Sequence, residues 1–191
     1  AQQKPALFEN HEEVMRKRSL LKQEATFQPM RFQFVTESID LDDRETACYN
    51  LGDSIKVGDP ISRNVVCSSN VVNNCWFTCT ANALITPQKK EALVLLINKL
   101  KVEFESLLLT RRLAGNVKLP LDPCQGVPVP KSLNSTLYAS KADMLVFVTM
   151  RAKQGTLGYA YHCMRETIYG RPVVGMLNIN PQYIGASSGV Y

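Results

Sequence analysis

A long amphipathic helix is the sequence feature that most constrains what this chain can fold into. Thr86 followed by Pro87 predicts its start, because a hydroxyl N-cap and a proline at the first helical position are both favoured there. The helix is predicted to end near Arg112, with Gly115 just beyond it. Its apolar face comprises Leu93, Leu96, Ile97, Leu100, Phe104, Leu107 and Leu108. So wide a face must be buried against an extended apolar surface, which a β-sheet provides.

Four segments predict the strands of that sheet. Residues 31–36 and 155–163 alternate in polarity, as half-buried strands do, and residues 172–179 form a further strand. Residues 144–148 are continuously apolar, which predicts a strand buried on both faces. The predicted fold class is therefore α/β (α+β), a twisted mixed sheet backed by the long helix and surrounded by disulfide-pinned loops.

The remaining segments indicate loops and an N-terminal arm. A charged turn is predicted at 40–44, a loop with a short strand at 48–61, a cysteine-stapled loop at 64–80 and a further loop at 119–135. Asn10, with Glu13 three residues later, predicts a helix N-terminus, and that helix is expected to reach about Glu24. We therefore divide the chain into a propeptide-like or helical arm, residues 1–29, and a body, residues 30–191.

Cysteine usage and one glycosylation signal favour an oxidising compartment. The six cysteines are Cys48, Cys67, Cys75, Cys79, Cys124 and Cys163. An even number is typical of disulfide-bonded secreted proteins, and Asn134 begins an Asn-x-Ser/Thr sequon in a polar segment. The competing interpretation is a zinc site at Cys75 and Cys79, but no second close pair follows them. From the cysteine spacings alone, all fifteen pairings stay open.

Charge and hydropathy argue against two classes of partner. The net charge of +5 is modest, and no basic stripe interleaved with aromatic residues occurs, so nucleic acid is not an expected partner. No apolar run approaches the roughly 18 residues that a membrane span needs. The tribasic run at 16–18 is interpreted as a solvated helix face, and the alternative is a processing site. The chain starts at Ala1 without Met, so we expect it to be processed or excerpted, and secreted or at the cell surface.

The motifs of the common catalytic classes are absent from the sequence. It contains no G-x-S-x-G, no G-x-G-x-x-G, no G-x-x-x-x-G-K-[ST] and no H-E-x-x-H. The only histidine in the body is His162, next to Cys163, and a cysteine in a disulfide is no nucleophile. The chain is therefore not expected to be catalytic on its own.

Five segments, taken in order, resemble the leishmanolysin family of zinc metallopeptidases. They are residues 30–37, 79–86, 142–148, 155–163 and 170–181. The shared succession is an apolar strand, a strand ending in Cys163, a G-x-P turn at Gly170 and a strand V-G-x-x-N-x-N-P. This resemblance implies the N-terminal lobe of a metzincin-like peptidase. In the family, zinc is bound by an H-E-x-x-H helix and a more distant histidine, which this chain does not contain.

The resemblance also implies roles for particular residues. The strand that would pair with an extended peptide substrate comprises Thr156, Leu157, Gly158, Tyr159, Ala160, Tyr161 and His162. The other interpretation of this strand is an ordinary sheet strand pinned by Cys163. The implied disulfides are Cys48–Cys79, Cys124–Cys163 and, for the remaining pair, Cys67–Cys75. Asn10 stands where family members carry a propeptide cysteine, so thiolate-based latency is not expected here.

Two functions remain open from the sequence. The first is the N-terminal part of a secreted zinc metalloendopeptidase that acts on proteins or peptides, truncated at 191 before the zinc-binding helix. Its zinc would be bound by the remainder of its own polypeptide or by a second chain, and none by this one. The alternative is a noncatalytic, secreted structural or adhesive relative that retains the lobe without the chemistry.

Overall fold

A computed structural model describes residues 27–57, 65–67, 75–124, 126–133, 136–138, 141–153 and 155–185. The side chains of residues 57 and 65–67 are not described. The predicted helix at 10–24 and the sequon residue Asn134 lie outside the described residues. The division between residues 1–29 and 30–191 therefore stays a prediction.

The described part of the chain combines strands with one long helix. The strands are β1 (Gln28–Pro29), β2 (Phe32–Val35), β3 (Ser54–Val57), β4 (Val65–Cys67), β5 (Cys75–Thr78), β6 (Leu109–Thr110), β7 (Val117–Lys118), β8 (Thr136–Leu137), β9 (Met144–Thr149), β10 (Gly158–Arg165) and β11 (Pro172–Ile179). The helices are α1 (Ser38–Leu41) and α2 (Pro87–Leu107), with 3-10 helices at Ala81–Ala83 and Pro181–Tyr183.

The main sheet has four strands in the order β10-β11-β9-β2. β9 pairs in parallel with β2 and β11, whereas β10 is antiparallel to β11. Side chains from Leu145 to Thr149 are buried, because β9 lies in the interior of the sheet and both its faces are covered. The mixed sheet and the fully buried strand are thus confirmed.

Different elements cover the two faces of this sheet. On one face, Leu93 and Ile97 of α2 pack with Val148 of β9. On the other, Leu145 and Phe147 lie in a cluster with apolar residues of the segment between α2 and β9. That segment contributes Leu119, Val127 and Leu137, so the predicted loop at 119–135 also completes the core.

Helix α2 begins as predicted but is shorter and less buried than predicted. The Thr86 hydroxyl accepts a hydrogen bond from the Lys89 N–H at 3.3 Å, and Pro87 is the first helical residue. The predicted end near Arg112 is wrong, because the helix ends at Leu107 and β6 then pairs with β1. The N–H of Met30, the residue after β1, donates to the Leu108 carbonyl at 2.7 Å. Pairing with this segment thus replaces further helical hydrogen bonds.

The buried stripe of α2 is also narrower than the predicted apolar face. Leu93 and Ile97 are buried, whereas Leu96, Leu107 and Leu108 are exposed among the described residues. No helix in the described part of the chain is long and apolar enough to cross a membrane.

The cysteine-rich region is a sheet, not the loop predicted for residues 64–80. Strands β3, β5 and β4 form an antiparallel sheet in that order, with Ile55 and Phe77 in its core. Disulfides join Cys48 to Cys79 and Cys124 to Cys163, which are two of the pairings implied by the family resemblance. Cys75 is disulfide-bonded as well, and the backbone of Cys67 lies directly opposite it in the β4–β5 register.

Candidate functional site

Strand β10 is one of the two edge strands of the main sheet, and β2 is the other. β10 pairs with β11 along one side, and no described strand pairs with its other side. Ala160, Tyr161 and His162 are exposed at the middle of the strand. Such an edge presents unpaired backbone N–H and C=O groups, which another extended chain can bind.

The structure places the predicted substrate-edge residues with a small shift. Gly158, Tyr159, Ala160, Tyr161 and His162 lie in β10, whereas Thr156 and Leu157 precede it and the strand continues to Arg165. The predicted start at Thr156 is therefore wrong by two residues. The Leu157 carbonyl accepts the Asn180 N–H at 2.9 Å, at the point where the loop enters the strand.

Gly158 allows the strand to start close against β11. A Cβ atom at this position would lie 2.6 Å from the Asn178 carbonyl oxygen. Because real Cβ atoms do not approach backbone oxygens that closely, only glycine fits without a shift of one strand.

Two buried asparagines at the end of β11 hold the loop that leads into β10. Asn178 accepts hydrogen bonds from the Arg151 N–H at 2.7 Å and the Thr149 hydroxyl at 2.9 Å, and it donates to the Arg151 carbonyl at 3.0 Å. The Asn180 amide donates to the carbonyls of Lys153 at 2.6 Å and Thr156 at 2.9 Å. These bonds fix the direction in which the chain enters the edge strand.

An ion pair made by the side chain of Arg151 also anchors this loop. The Arg151 guanidinium donates to both carboxylate oxygens of Asp42, at 2.7 and 2.6 Å, and to the Gly126 carbonyl at 2.6 Å. Burial lowers the pKa of Arg151, but the hydrogen bonds and charge of Asp42 outweigh it, so the pKa lies above its ordinary value. The pair thus stays ionised, and it joins the loop to the segment after α1.

Aromatic side chains occupy one face of β10. The rings of Tyr159 and Tyr161 stack with centroids 6.5 Å apart, and the Lys153 ammonium lies 5.5 Å from the Tyr159 ring centroid. Burial raises the pKa of Tyr159 above its ordinary value despite the opposing charge of Arg151. The Tyr159 hydroxyl is therefore neutral at physiological pH, and the two stacked rings form an aromatic surface on this face.

A β-bulge and a disulfide shape the far end of β10. His162 lies opposite Gly175 and Met164 opposite Val174, so Cys163 is the extra residue of the bulge. Its disulfide with Cys124 ties the strand to the segment between α2 and β9. Between them lies a cavity of about 520 Å³, lined in part by Asp122, Tyr161 and His162.

The described residues do not fit a zinc ion. They contain no group of three or more His, Cys, Asp or Glu side chains that could bind a metal. No cysteine of the described part is free, which excludes the zinc-thiolate interpretation for Cys75 and Cys79. The second histidine of the sequence, His11, lies outside the described residues.

Sequence reasoning missed four residues that position this edge, namely Asp42, Arg151, Asn178 and Asn180. The two asparagines belong to the V-G-x-x-N-x-N-P segment, so the motif itself was the available signal. No pattern in the sequence indicates that Asp42 pairs with Arg151, because 109 residues separate them.

The leishmanolysin family profile matches residues 17–189. The chain belongs to the leishmanolysin family. This confirms the expected family and makes the chain metallopeptidase-like, in a family that is generally zinc-dependent and acts on proteins. A search of curated proteins gave no match. Edge strand β10 of this leishmanolysin-like sheet is thus the candidate peptide-binding site.

Proposed function

We propose that this chain is the N-terminal part of a secreted leishmanolysin-like zinc metalloendopeptidase, in which β10 binds the substrate as an added strand. The observation that carries the proposal is an edge strand with open backbone groups in a chain of a peptidase family. An extended peptide gains main-chain hydrogen bonds there, and the exposed side chains at 160–162 contact its own side chains.

The anchoring of β10 supports this role, because a binding edge works best when it does not have to be ordered by its ligand. Asn178 and Asn180 fix the loop before the strand, and the Cys124–Cys163 disulfide fixes its other end. A strand restrained at both ends loses little conformational entropy when a peptide pairs with it.

Zinc, in this proposal, is bound by residues that the chain does not contain. When bound, zinc would polarise the scissile carbonyl and activate a water molecule. The residues of this chain would hold the peptide extended and exclude water from its main-chain hydrogen bonds. The disulfides support secretion, since such bonds persist in oxidising compartments.

Hydrogen–deuterium exchange on the full-length protein tests the peptide-binding role. A short extended peptide should slow exchange at every second amide of β10, namely those that point away from β11. A peptide of matched length with prolines at alternate positions lacks the needed N–H donors and should give no protection. Amides of α2 serve as the internal reference. Unchanged exchange along β10 with both peptides would mean that this edge does not bind substrate.

A second measurement separates the enzyme from its noncatalytic alternative. Native mass spectrometry of the full-length protein, with zinc quantified on the same sample, should give about one zinc per particle. If the native protein carries no metal and cleaves no peptide, the chain belongs to a structural or adhesive relative and the catalytic proposal fails.

A further inference from the structure

The cavity at the far end of β10 is lined by both polar and apolar surface, and it contains one carboxylate. Its lining includes Pro120, Pro123, Met164 and the Cys124–Cys163 disulfide, together with the ring of Tyr161. Asp122 provides the carboxylate, and Tyr161 and His162 carry the other ionisable groups. None of the lining residues is a lysine or arginine.

The Asp122 carboxylate is held in place by a hydrogen bond that leaves it able to accept others. Both of its oxygens lie 3.2 Å from the Gly126 N–H, which donates to them across a turn. Gly126 has φ +75°, a conformation that favours glycine, so the turn that holds Asp122 depends on a glycine at this position. A carboxylate has about four lone-pair positions, and among the described residues only the Gly126 N–H donates to this one.

This combination matches a long side chain with a cationic head. The aliphatic stem of a lysine or arginine can pack against the apolar side chains of Pro120, Pro123 and Met164, while its head keeps contact with a carboxylate and with water. The Tyr161 ring adds a face that attracts cations. The cavity volume of about 520 Å³ is within the usual range for ligand sites and is ample for such a side chain.

We infer that Asp122 makes this cavity a specificity pocket for a lysine or arginine side chain of a peptide bound along β10. Tyr161, His162 and Met164 belong to β10 and also line the cavity. A peptide paired with this edge of β10 would therefore lie beside the opening of the cavity. The inference rests on the proposed peptide-binding function and adds to it the class of residue that the substrate carries.

Peptide-binding measurements on the full-length protein test the inference. Three blocked, fluorescent peptides differ only at one central residue, which is Lys, Met or Glu, and Met matches the length of Lys without its charge. Fluorescence anisotropy gives the dissociation constants, with peptide integrity checked by mass spectrometry. Histidine side chains ordinarily carry no charge at mildly alkaline pH, so the measurement is made there. The Lys peptide should bind roughly fivefold more tightly than the Met peptide, and the Glu peptide least tightly.

The variant Asp122→Asn isolates the carboxylate, because asparagine still accepts the Gly126 N–H. It should remove the Lys preference, roughly fivefold, and leave the affinity for the Met peptide unchanged. The matched control is Glu103→Gln, which removes the same charge from the exposed surface of α2 and should leave all three affinities unchanged.

The outcomes distinguish this inference from the function on which it rests. If the peptides bind with equal affinity, or Asp122→Asn weakens all three alike, the specificity pocket is refuted while peptide binding stands. If none of the peptides binds, the peptide-binding function fails and the pocket fails with it.

Discussion

Asn178 clamps the backbone of Arg151 from both sides. Its side-chain oxygen accepts the Arg151 N–H at 2.7 Å, and its amide nitrogen donates to the Arg151 carbonyl at 3.0 Å. One side chain therefore provides both hydrogen bonds that a paired strand would otherwise supply. This replacement lets the chain leave β9 and turn toward the edge strand without burying unpaired backbone groups.

We expect Asn178→Ala to lower the free energy of unfolding by about 3 kcal/mol. The substitution leaves the backbone N–H and C=O of Arg151 and the hydroxyl of Thr149 without their buried partner. Urea denaturation measures the loss, and hydrogen exchange should become faster at residues 151–157. Asn98→Ala, at an exposed position within α2, is the control and should be neutral or slightly stabilising. Equal effects of the two substitutions would contradict the assigned clamp.

Asp143 is a buried carboxylate shared by arginines. It accepts hydrogen bonds from the backbone N–H and the Nε of Arg31, both at 3.0 Å, and from Arg112. A guanidinium nitrogen of Arg171 lies 3.9 Å from the other carboxylate oxygen of Asp143. We expect Asp143→Asn to lower the free energy of unfolding by about 3 kcal/mol, because it leaves these cations without their buried counter-charge. Asp40→Asn, which breaks a surface pair with Lys90, should cost less than about 1 kcal/mol.

The Asp143 effect should depend on pH. Burial raises the pKa of Asp143, but hydrogen bonds and charges from Arg31 and Arg112 lower it more, so the pKa lies below its ordinary value. A depressed carboxyl pKa contributes stability that is fully present above the ordinary value, about 4, and declines as pH falls through the folded value. Urea titrations of the unsubstituted protein and of Asp143→Asn at successive pH values should therefore give unfolding free energies that converge in acid. A constant difference would argue against the charge as its cause.

The elements predicted correctly are those whose signals are local. Helix α2 has its capping threonine and its proline within two residues, and the burial of β9 follows from one continuous apolar run. The order of strands around β9 was not predicted, because it depends on pairing between segments that are far apart in sequence.

The errors arose where a distant segment decides the structure. The end of α2 depends on β1 and the residue after it, because β1 pairs with β6 and Met30 donates to the Leu108 carbonyl from 78 residues away in sequence. The start of β10 depends on Asn180, whose side-chain amide binds the Thr156 carbonyl ahead of the strand. At the candidate site, the strand itself was predictable from polarity alternation. The residues that position it act through buried contacts that leave no periodic signal.

Loss of the Cys124–Cys163 disulfide should loosen β10 locally as well as lower the free energy of unfolding. Replacing both cysteines by alanine should cost about 3 kcal/mol, since the bond closes a loop with a sequence separation of 39. It should also accelerate hydrogen exchange at residues 161–165, because the bulge loses its tie to the neighbouring segment. Urea denaturation and exchange mass spectrometry measure the two effects on the same samples.

The Cys48–Cys79 disulfide provides the matched control. Its sequence separation of 31 predicts a similar stability loss, but it lies in the core of the three-stranded sheet, away from β10. Exchange at 161–165 should stay unchanged in the corresponding double-alanine variant. Faster exchange there in both variants would point to global destabilisation and not to a local role for Cys124–Cys163.

Gly158→Ala should displace the edge strand. The new Cβ would lie 2.6 Å from the Asn178 carbonyl oxygen, so β10 must move away from β11, at a cost of about 2 kcal/mol. Gly115→Ala is the control, because nothing lies within 4 Å of a Cβ there and its φ is not in the left-handed region. It should change the free energy of unfolding by less than about 0.5 kcal/mol. Peptide affinity discriminates further: with the variant still folded, displacement of β10 should weaken binding of the Lys and Met peptides alike, since both depend on main-chain pairing. Unchanged affinity in a destabilised Gly158→Ala protein would place peptide binding elsewhere than on β10.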